Sequence, residues 1–308
     1  FIGANLVRRL ETLAGVSEIV VVDDLSFGFR ENLDGTRATL VEGSILDEEL
    51  LRRATDGATT VVHLAARSSV PRSVAEPMAT HEVNATGTAL VLEAARRAGD
   101  VQVIVASSSS VYGSTDVLPK HEGLVARPIS PYAASKLATE SYALAWGHSY
   151  GLPVLALRFF NVFGPLQPPA HTYAAVTPAF LAAACSGTPL PVHGNGTQCR
   201  DFTFVGSVVD VLAQAITRQV SHPDPVNLAF GTRVTLLEVI AELEHILERR
   251  LPVDHLPTRV GDVRRSQADS GLLLELFPDL VPTDLVTGLR ATVEWFELTR
   301  PWERSTPY

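Results

Sequence analysis

The stretch VQVIVASSSSVYG, Val101–Gly113, decides how the chain is read. Its first half is apolar and β-branched, the pattern of a strand buried on both faces. Its second half is a run of hydroxyls, Ser107–Ser110, of loop composition. A core strand that ends in hydroxyls carries them to the edge of a sheet, where open α/β proteins bind ligands. Downstream, SPYAASK at Ser130–Lys136 sets Tyr132 and Lys136 four apart. On a helix the two share a face.

Working outward, three more continuously apolar runs read as strands: Glu18–Asp24, Thr59–Ala66 and Leu152–Phe159, beside Val101–Ser108. Helical patterns fall between them at Ala79–Ala98 and Pro131–Tyr150, the second with proline in its first turn. Alternating strands and helices predict an α/β fold, a doubly wound parallel sheet of Rossmann type. Beyond Asn161–Pro165 prolines punctuate the pattern, and helices return near Leu236–Arg249 and Asp284–Leu298. The expected division is a nucleotide-binding unit over 1–165 and a smaller substrate region over 166–308. Phe1–Leu10 already reads as helix, so a first strand and turn are expected to precede Phe1.

Composition bounds the function. The 308 residues are 46% hydrophobic and 19% charged, a globular balance. A formal net charge of −9 argues against a nucleic-acid partner. No apolar run approaches a membrane span. Cys185 and Cys199 lack metal-ligand spacing and suit free thiols in a reducing cytoplasm, and no metal is expected.

Two groups carry chemistry. An ammonium near a phenol favours the phenolate, so Lys136 would turn Tyr132 into a general base, with the strand-end hydroxyls orienting a substrate hydroxyl. Asp23 and Asp24 end a strand roughly 20 residues after Gly3, where a carboxylate meets an adenosine ribose. Such an acid would repel a 2′-phosphate and favour NAD. Alone, the Asp pair fits an ordinary turn equally well, and one glycine is a weak signal.

Together these residues resemble the extended short-chain dehydrogenase/reductases, in the nucleotide-sugar epimerase/dehydratase group, across essentially the whole chain. The resemblance implies that Phe1, Ile2 and Gly3 end a glycine-rich phosphate turn and that Asp23 binds ribose. His63–Ala66, with Leu64, Ala65 and Ala66, would pass under the cofactor, with Asn84 of the NATGT segment and Phe159 nearby. It makes Ser108, Tyr132 and Lys136 the catalytic set. Asn161, Ser69 and Ser109 would meet the sugar. Arg200 and Arg259 would meet the diphosphate and Asp262 the uridine ribose, while Ser266 would stand as a small gatekeeper with room for an N-acetyl group. One departure is Ser44, where the family usually has an Asp facing adenine. That contact would then fall to the backbone of Ile45.

Within the group, 4,6-dehydratases carry Asp-Glu after the catalytic Thr. Here the positions are Ser109 and Ser110, which disfavours dehydration. The expected activity is a UDP-sugar 4-epimerase, an isomerase passing through a 4-keto sugar, on UDP-glucose/galactose or a UDP-N-acetylhexosamine. A UDP-glucuronate epimerase competes, with Arg67, Arg72 or His171 meeting the carboxylate. A non-catalytic nucleotide-sugar-binding protein and a net oxidoreductase that releases NADH are the rivals from other classes. The resemblance also implies a homodimer formed through helices 79–98 and 131–150. His63 reads as a packed core histidine, His193 and His222 as solvated loop residues, and Tyr112 as packing or shaping the site.

Overall fold

The computed structural model describes residues 1–99, 101–169, 175–258 and 265–303. Helix α1 (Ile2–Leu10) leads into strand β1 (Val20–Asp23), which pairs in parallel with β2 (Thr39–Glu42). Helix α2 (Glu48–Ala54) starts at Asp47, whose carboxylate accepts from Leu50 N. After β3 (Thr60–His63) come α3 (Val70–Ala75) and α4 (Pro77–His81), then a π-helical turn over Glu82–Thr86 that runs straight into α5 (Gly87–Ala98). The expected single helix over 79–98 therefore contains a wider turn, and that turn displaces Asn84 towards the neighbouring loop. The strand expected to reach Ala66 stops at His63, because the backbone of Arg67 is bonded to Asn84 rather than to a neighbouring strand.

Strand β4 (Gln102–Ser108), helix α6 (Pro131–Tyr150) and strand β5 (Val154–Phe159) follow. The ends of α6 are written in the sequence. Ser130 caps it by accepting from Ala133 N, Pro131 opens the first turn, and Gly151 closes it in the left-handed conformation at φ 71°.

The rest of the chain alternates between two bodies. Strand β6 (Asn161–Phe163), helix α7 (Val176–Ser186) and strands β7 (Leu190–His193), β8 (Cys199–Arg200) and β9 (Phe202–Phe204) come first. Helix α8 (Val205–Thr217) then packs on α1, and β10 (Val226–Leu228) pairs in parallel with β5. Strand β11 (Val234–Thr235), helix α9 (Leu236–Ile246), strand β12 (Val253–Leu256) and helices α10 (Gly271–Leu276) and α11 (Leu285–Thr299) complete it. The main sheet has the order β10-β5-β4-β3, all parallel. The chain therefore crosses the division expected at residue 165 more than once, since α8 and β10 return to the first unit.

Alternation along the central strands explains the double winding. Ile104, Leu155 and Leu157 pack with Leu6 and Leu10 of α1, Val208 and Leu212 of α8 and Leu273 of α10. Val103, Val105, Val154 and Ala156 face Leu92 and Ala95 of α5 and Ala143 of α6. Fully burying each large aliphatic side chain contributes about 1.5–3 kcal/mol, so both faces must be covered. A separate core built on Phe180, Leu190, Val239, Leu289 and Phe296 holds the second unit.

Candidate active site

The serine run lies where β4 leaves the sheet. Ser108 Oγ accepts from Ser110 N at 3.2 Å, and the Ser108 hydroxyl is close enough to the Tyr132 phenol to favour its ionised form. Lys136, buried one helical turn along α6, donates from Nζ to Ala106 O at 2.9 Å, leaving donors to spare. The three side chains expected to act together meet at one sheet edge, from β4 and α6.

Their electrostatics differ from the expectation. The phenol of Tyr132 is pushed up, by burial first and against the Ser108 hydroxyl, so the protein alone does not acidify it. Lys136 is brought down to about 8 by burial. Its ammonium is bonded to a backbone carbonyl, so each charged form carries its own desolvation penalty. His63 falls to about 3, through burial and then the Lys136 charge, and its Nε2 lies 2.9 Å from Thr88 Oγ1. It is a packed core histidine, as expected.

At the end of β1, Asp23 Oδ1 accepts from Leu25 N at 2.8 Å. A Cβ on Gly28 would lie 3.3 Å from Asp23 Oδ2, so glycine there keeps the carboxylate uncovered. Asp24 instead closes its own turn, accepting from Ser26 N and Ser26 Oγ. A Cβ on Gly3 would meet only Leu64 Cδ1, at 3.8 Å, so packing does not demand glycine there. Ser44 Oγ accepts from Leu46 N, and the Ile45 side chain is buried. Asn84 is fully engaged by protein: it accepts from Arg67 N at 2.7 Å and donates to Arg67 O and Ser135 Oγ. It braces the loop that carries Leu64, Ala65 and Ala66 against α6. Phe159, at the end of β5, pairs opposite Ser108 and packs into the core. An uncovered acid at one strand end and a buried ammonium and phenol at another suit a dinucleotide lying along the carboxyl edge of a parallel sheet.

Substrate-side residues gather around Asp201, which is fully buried between β8 and β9. Its carboxylate accepts from Ala268 N at 3.0 Å and Thr232 Oγ1 at 2.8 Å, and burial pushes its acid up. Its carbonyl accepts from Asn161 N and, at 3.3 Å, Asn161 Nδ2. Ser266 N donates to Cys199 O at 3.2 Å, which places it beside Arg200. Arg200 Nη1 donates to that same carbonyl at 2.9 Å. Ser69 sits at φ 96°, strained for a non-glycine residue, and caps α3 by accepting from Arg72 N. Ser109 is half-buried in the 3₁₀ turn Ser109–Tyr112. Arg67 pairs with Glu76 at 2.5 Å, and Arg72 lies 4.1 Å over the Phe27 ring. His222 is a loop residue, bonded to Asp224 O, whereas His193, expected in a loop, ends strand β7 opposite Leu256 and its Nδ1 lies 2.9 Å from Pro257 O. Arg259, Asp262 and His171 lie outside the described residues.

Several buried polar residues escaped the sequence reading, Glu140, Arg158, Asp201 and Asn227, and Ser107, read there with the strand-end hydroxyls, is buried against Glu140. Arg158 carried a signal, since a charge inside the apolar run LPVLALRF implies a buried partner. Tyr112 is packed beneath the Arg158 guanidinium, and its hydroxyl donates to Asn227 Oδ1 at 2.6 Å.

The fold and this edge define a Rossmann-type protein with a Ser–Tyr–Lys constellation beside a nucleotide crevice. Residues 1–229 match the NAD dependent epimerase/dehydratase family, and the chain belongs to it; its cofactor is NAD. The chain is 34% identical to a UDP-glucose 4-epimerase of Mycolicibacterium smegmatis over 302 residues, covering 96% of this chain and 95% of the relative. It is 31% identical to a dTDP-glucose 4,6-dehydratase of Streptomyces griseus over 310 residues, covering 98% and 93%. Among solved structures, the UDP-N-acetylglucosamine 4-epimerase from Methanobrevibacter ruminantium, in complex with UDP-N-acetylmuramic acid, superimposes with a TM-score of 0.91 at 33% identity, covering 97% and 96%.

Proposed function

We propose that the chain is an NAD-dependent UDP-sugar 4-epimerase acting on UDP-glucose/galactose or a UDP-N-acetylhexosamine. The observation that carries this reading is the meeting of Ser108, at the end of β4, with Tyr132 and the buried Lys136 one turn apart on α6. Tyr132 Oη takes the proton of the sugar 4-hydroxyl as C4 becomes a carbonyl, and returns it when the alcohol re-forms. Ser108 Oγ orients that hydroxyl, and the Lys136 ammonium steadies the phenolate while it exists. Bound NAD supplies the acceptor for the C4 hydride and the donor that returns it. Hydride and proton both come back, so nothing is oxidised over a turnover. Inversion requires the keto sugar to present its other face before the return.

Asp23, the start of α1 with Phe1, Ile2 and Gly3, the Ile45 backbone and the Leu64–Ala66 loop would hold the cofactor. Arg200 and Arg259 suit the diphosphate, because a planar guanidinium meets phosphate oxygens bidentately. Asn161, Ser69 and Ser109 would contact the sugar, Asp262 the uridine ribose, and the small Ser266 leaves room for N-acetyl. Dehydration is disfavoured by serines at 109 and 110, which cannot act as carboxylic acids. The engagement of Arg67 with Glu76 and of Arg72 with Phe27 weakens the hexuronate alternative. A binding protein would have no use for the Ser–Tyr–Lys set.

The test is Tyr132→Phe. Loss of the general base is expected to lower kcat at least about 100-fold on UDP-glucose and UDP-N-acetylglucosamine. Near-normal turnover would remove Tyr132 from the role. We also propose a homodimer through α5 and α6. Tyr142 and Tyr150 are 41% and 58% exposed on α6 and meet Trp146 edge-on, and the Trp146 indole N–H is buried without an acceptor. Sedimentation should give twice the 33.1 kDa chain mass, and a monomer at micromolar concentration would refute the pairing.

A further inference from the structure

The chemistry above leaves two hydroxyls of the serine run unused, Ser107 and Ser110, and of these Ser107 is the one bonded to another side chain. Ser107 is 2% exposed and continues the face of Val103 and Val105, the side of the sheet that α6 covers. Its Oγ donates to Glu140 Oε2 at 2.8 Å. Glu140 lies on α6 four residues beyond Lys136 and eight beyond Tyr132, close to the same helical face. Its carboxylate also accepts two bonds from Arg158, from Nε at 2.9 Å and Nη2 at 2.6 Å. Arg158 stands directly opposite Ser107 in the β4–β5 register. Its guanidinium lies 4.7 Å over the Tyr112 ring, and Tyr112 is bonded on to Asn227 in β10. One buried polar chain thus joins α6, β4, β5 and β10 behind the site.

We infer that Ser107, acting through Glu140, is a positioning residue that sets the spacing between the Tyr132 hydroxyl and Ser108; this rests on the catalytic reading above. A buried ion pair is weak evidence for stability, because desolvation offsets its attraction. Its use here is directional. Apolar packing alone lets a helix slide over a strand by fractions of an ångström, whereas the fork of Arg158 and the Ser107 hydroxyl fix Glu140 in place. Ser108 follows Ser107 in the chain, so the bond that anchors α6 lies next to the residue that Tyr132 must meet.

The test is Ser107→Ala, which removes one buried oxygen, adds no bulk and leaves both Arg158–Glu140 bonds intact. With UDP-glucose and UDP-N-acetylglucosamine, kcat should fall about 10-fold while KM moves less than about twofold, the mark of lost alignment rather than lost binding. Ser107→Thr, which keeps the hydroxyl, should recover most of the rate. Added to Tyr132→Phe, Ser107→Ala should slow the enzyme no further, since both act on the same proton transfer. The proposal falls if Ser107→Ala turns over at the wild-type rate, if its loss only follows the folded fraction seen by circular dichroism, or if the two losses multiply. Full activity in Tyr132→Phe would instead overturn the catalytic reading itself, and a near-normal Ser107→Ala beside an inactive Tyr132→Phe would sink only the positioning role.

Discussion

The ammonium of Lys136 is the most sharply constrained charge in the site. The chain has two lysines, Lys120 and Lys136, and both are buried. Unfolded, the Lys136 amine titrates in its ordinary range near 10.5; folded, it titrates at about 8. Between those values the unfolded chain holds a proton that the folded chain has released, so raising the pH favours the folded state. Below about 8 both states are charged and the burial penalty is constant. Lys136→Met removes that penalty. Without cofactor, its advantage in urea midpoint over the wild type should be flat below pH 8 and shrink from pH 8 towards 10. Lys120, also lowered by burial, is common to both proteins and cancels. Tyr132, raised by burial, acts only above the window. A midpoint difference that stays level from pH 7 to 10 would show that the charge is not buried.

Among the elements, α1 separates stability from binding. Gly3 is helical, and a methyl group there would touch only Leu64 at 3.8 Å. Alanine in a helix is favoured over glycine by up to about 1 kcal/mol. Gly3→Ala should therefore raise Tm slightly. If the cofactor backbone lies against this turn, the same change should weaken NAD binding at least about tenfold in calorimetry. Unchanged NAD affinity would remove Gly3 from the binding turn. The legibility of the elements follows their locality. Helix α6 could be read to the residue, because Ser130, Pro131 and Gly151 are local signals, and β4 and β5 to within one or two residues at their starts, because their apolar runs are continuous. Helix α8 and β10 were not placed, since a short apolar stretch such as Val226–Leu228 does not say which strand it will join. The partners of Asn84 escaped for a similar reason: Arg67 and Ser135 are 17 and 51 residues away, and a π-turn that no residue announces brings them within reach. The Glu140–Arg158 pair is likewise a tertiary fact, visible in the sequence only as a charge where none should be buried alone.

For the molecule as a whole, sheet and second unit divide the labour. The β1-β2 pair ends in Asp23, the main sheet with α6 brings Ser108, Tyr132 and Lys136 together, and the segments gathered by Asp201 hold Asn161, Arg200 and Ser266 near one another. The relatives of this chain include both a UDP-glucose 4-epimerase and a dTDP-glucose 4,6-dehydratase, so the fate of the hydrogen on C4 is what separates the proposed reaction from dehydration. The decisive measurement uses UDP-glucose and UDP-N-acetylglucosamine deuterated at C4, with the protein supplied with NAD and the products resolved by NMR and mass spectrometry. This account predicts the C4 epimer with deuterium still on C4, no uptake of hydrogen from solvent at that carbon and no accumulation of NADH. Deuterium carried to C6 of a 4-keto-6-deoxy sugar, or released as stoichiometric reduced cofactor, would contradict it.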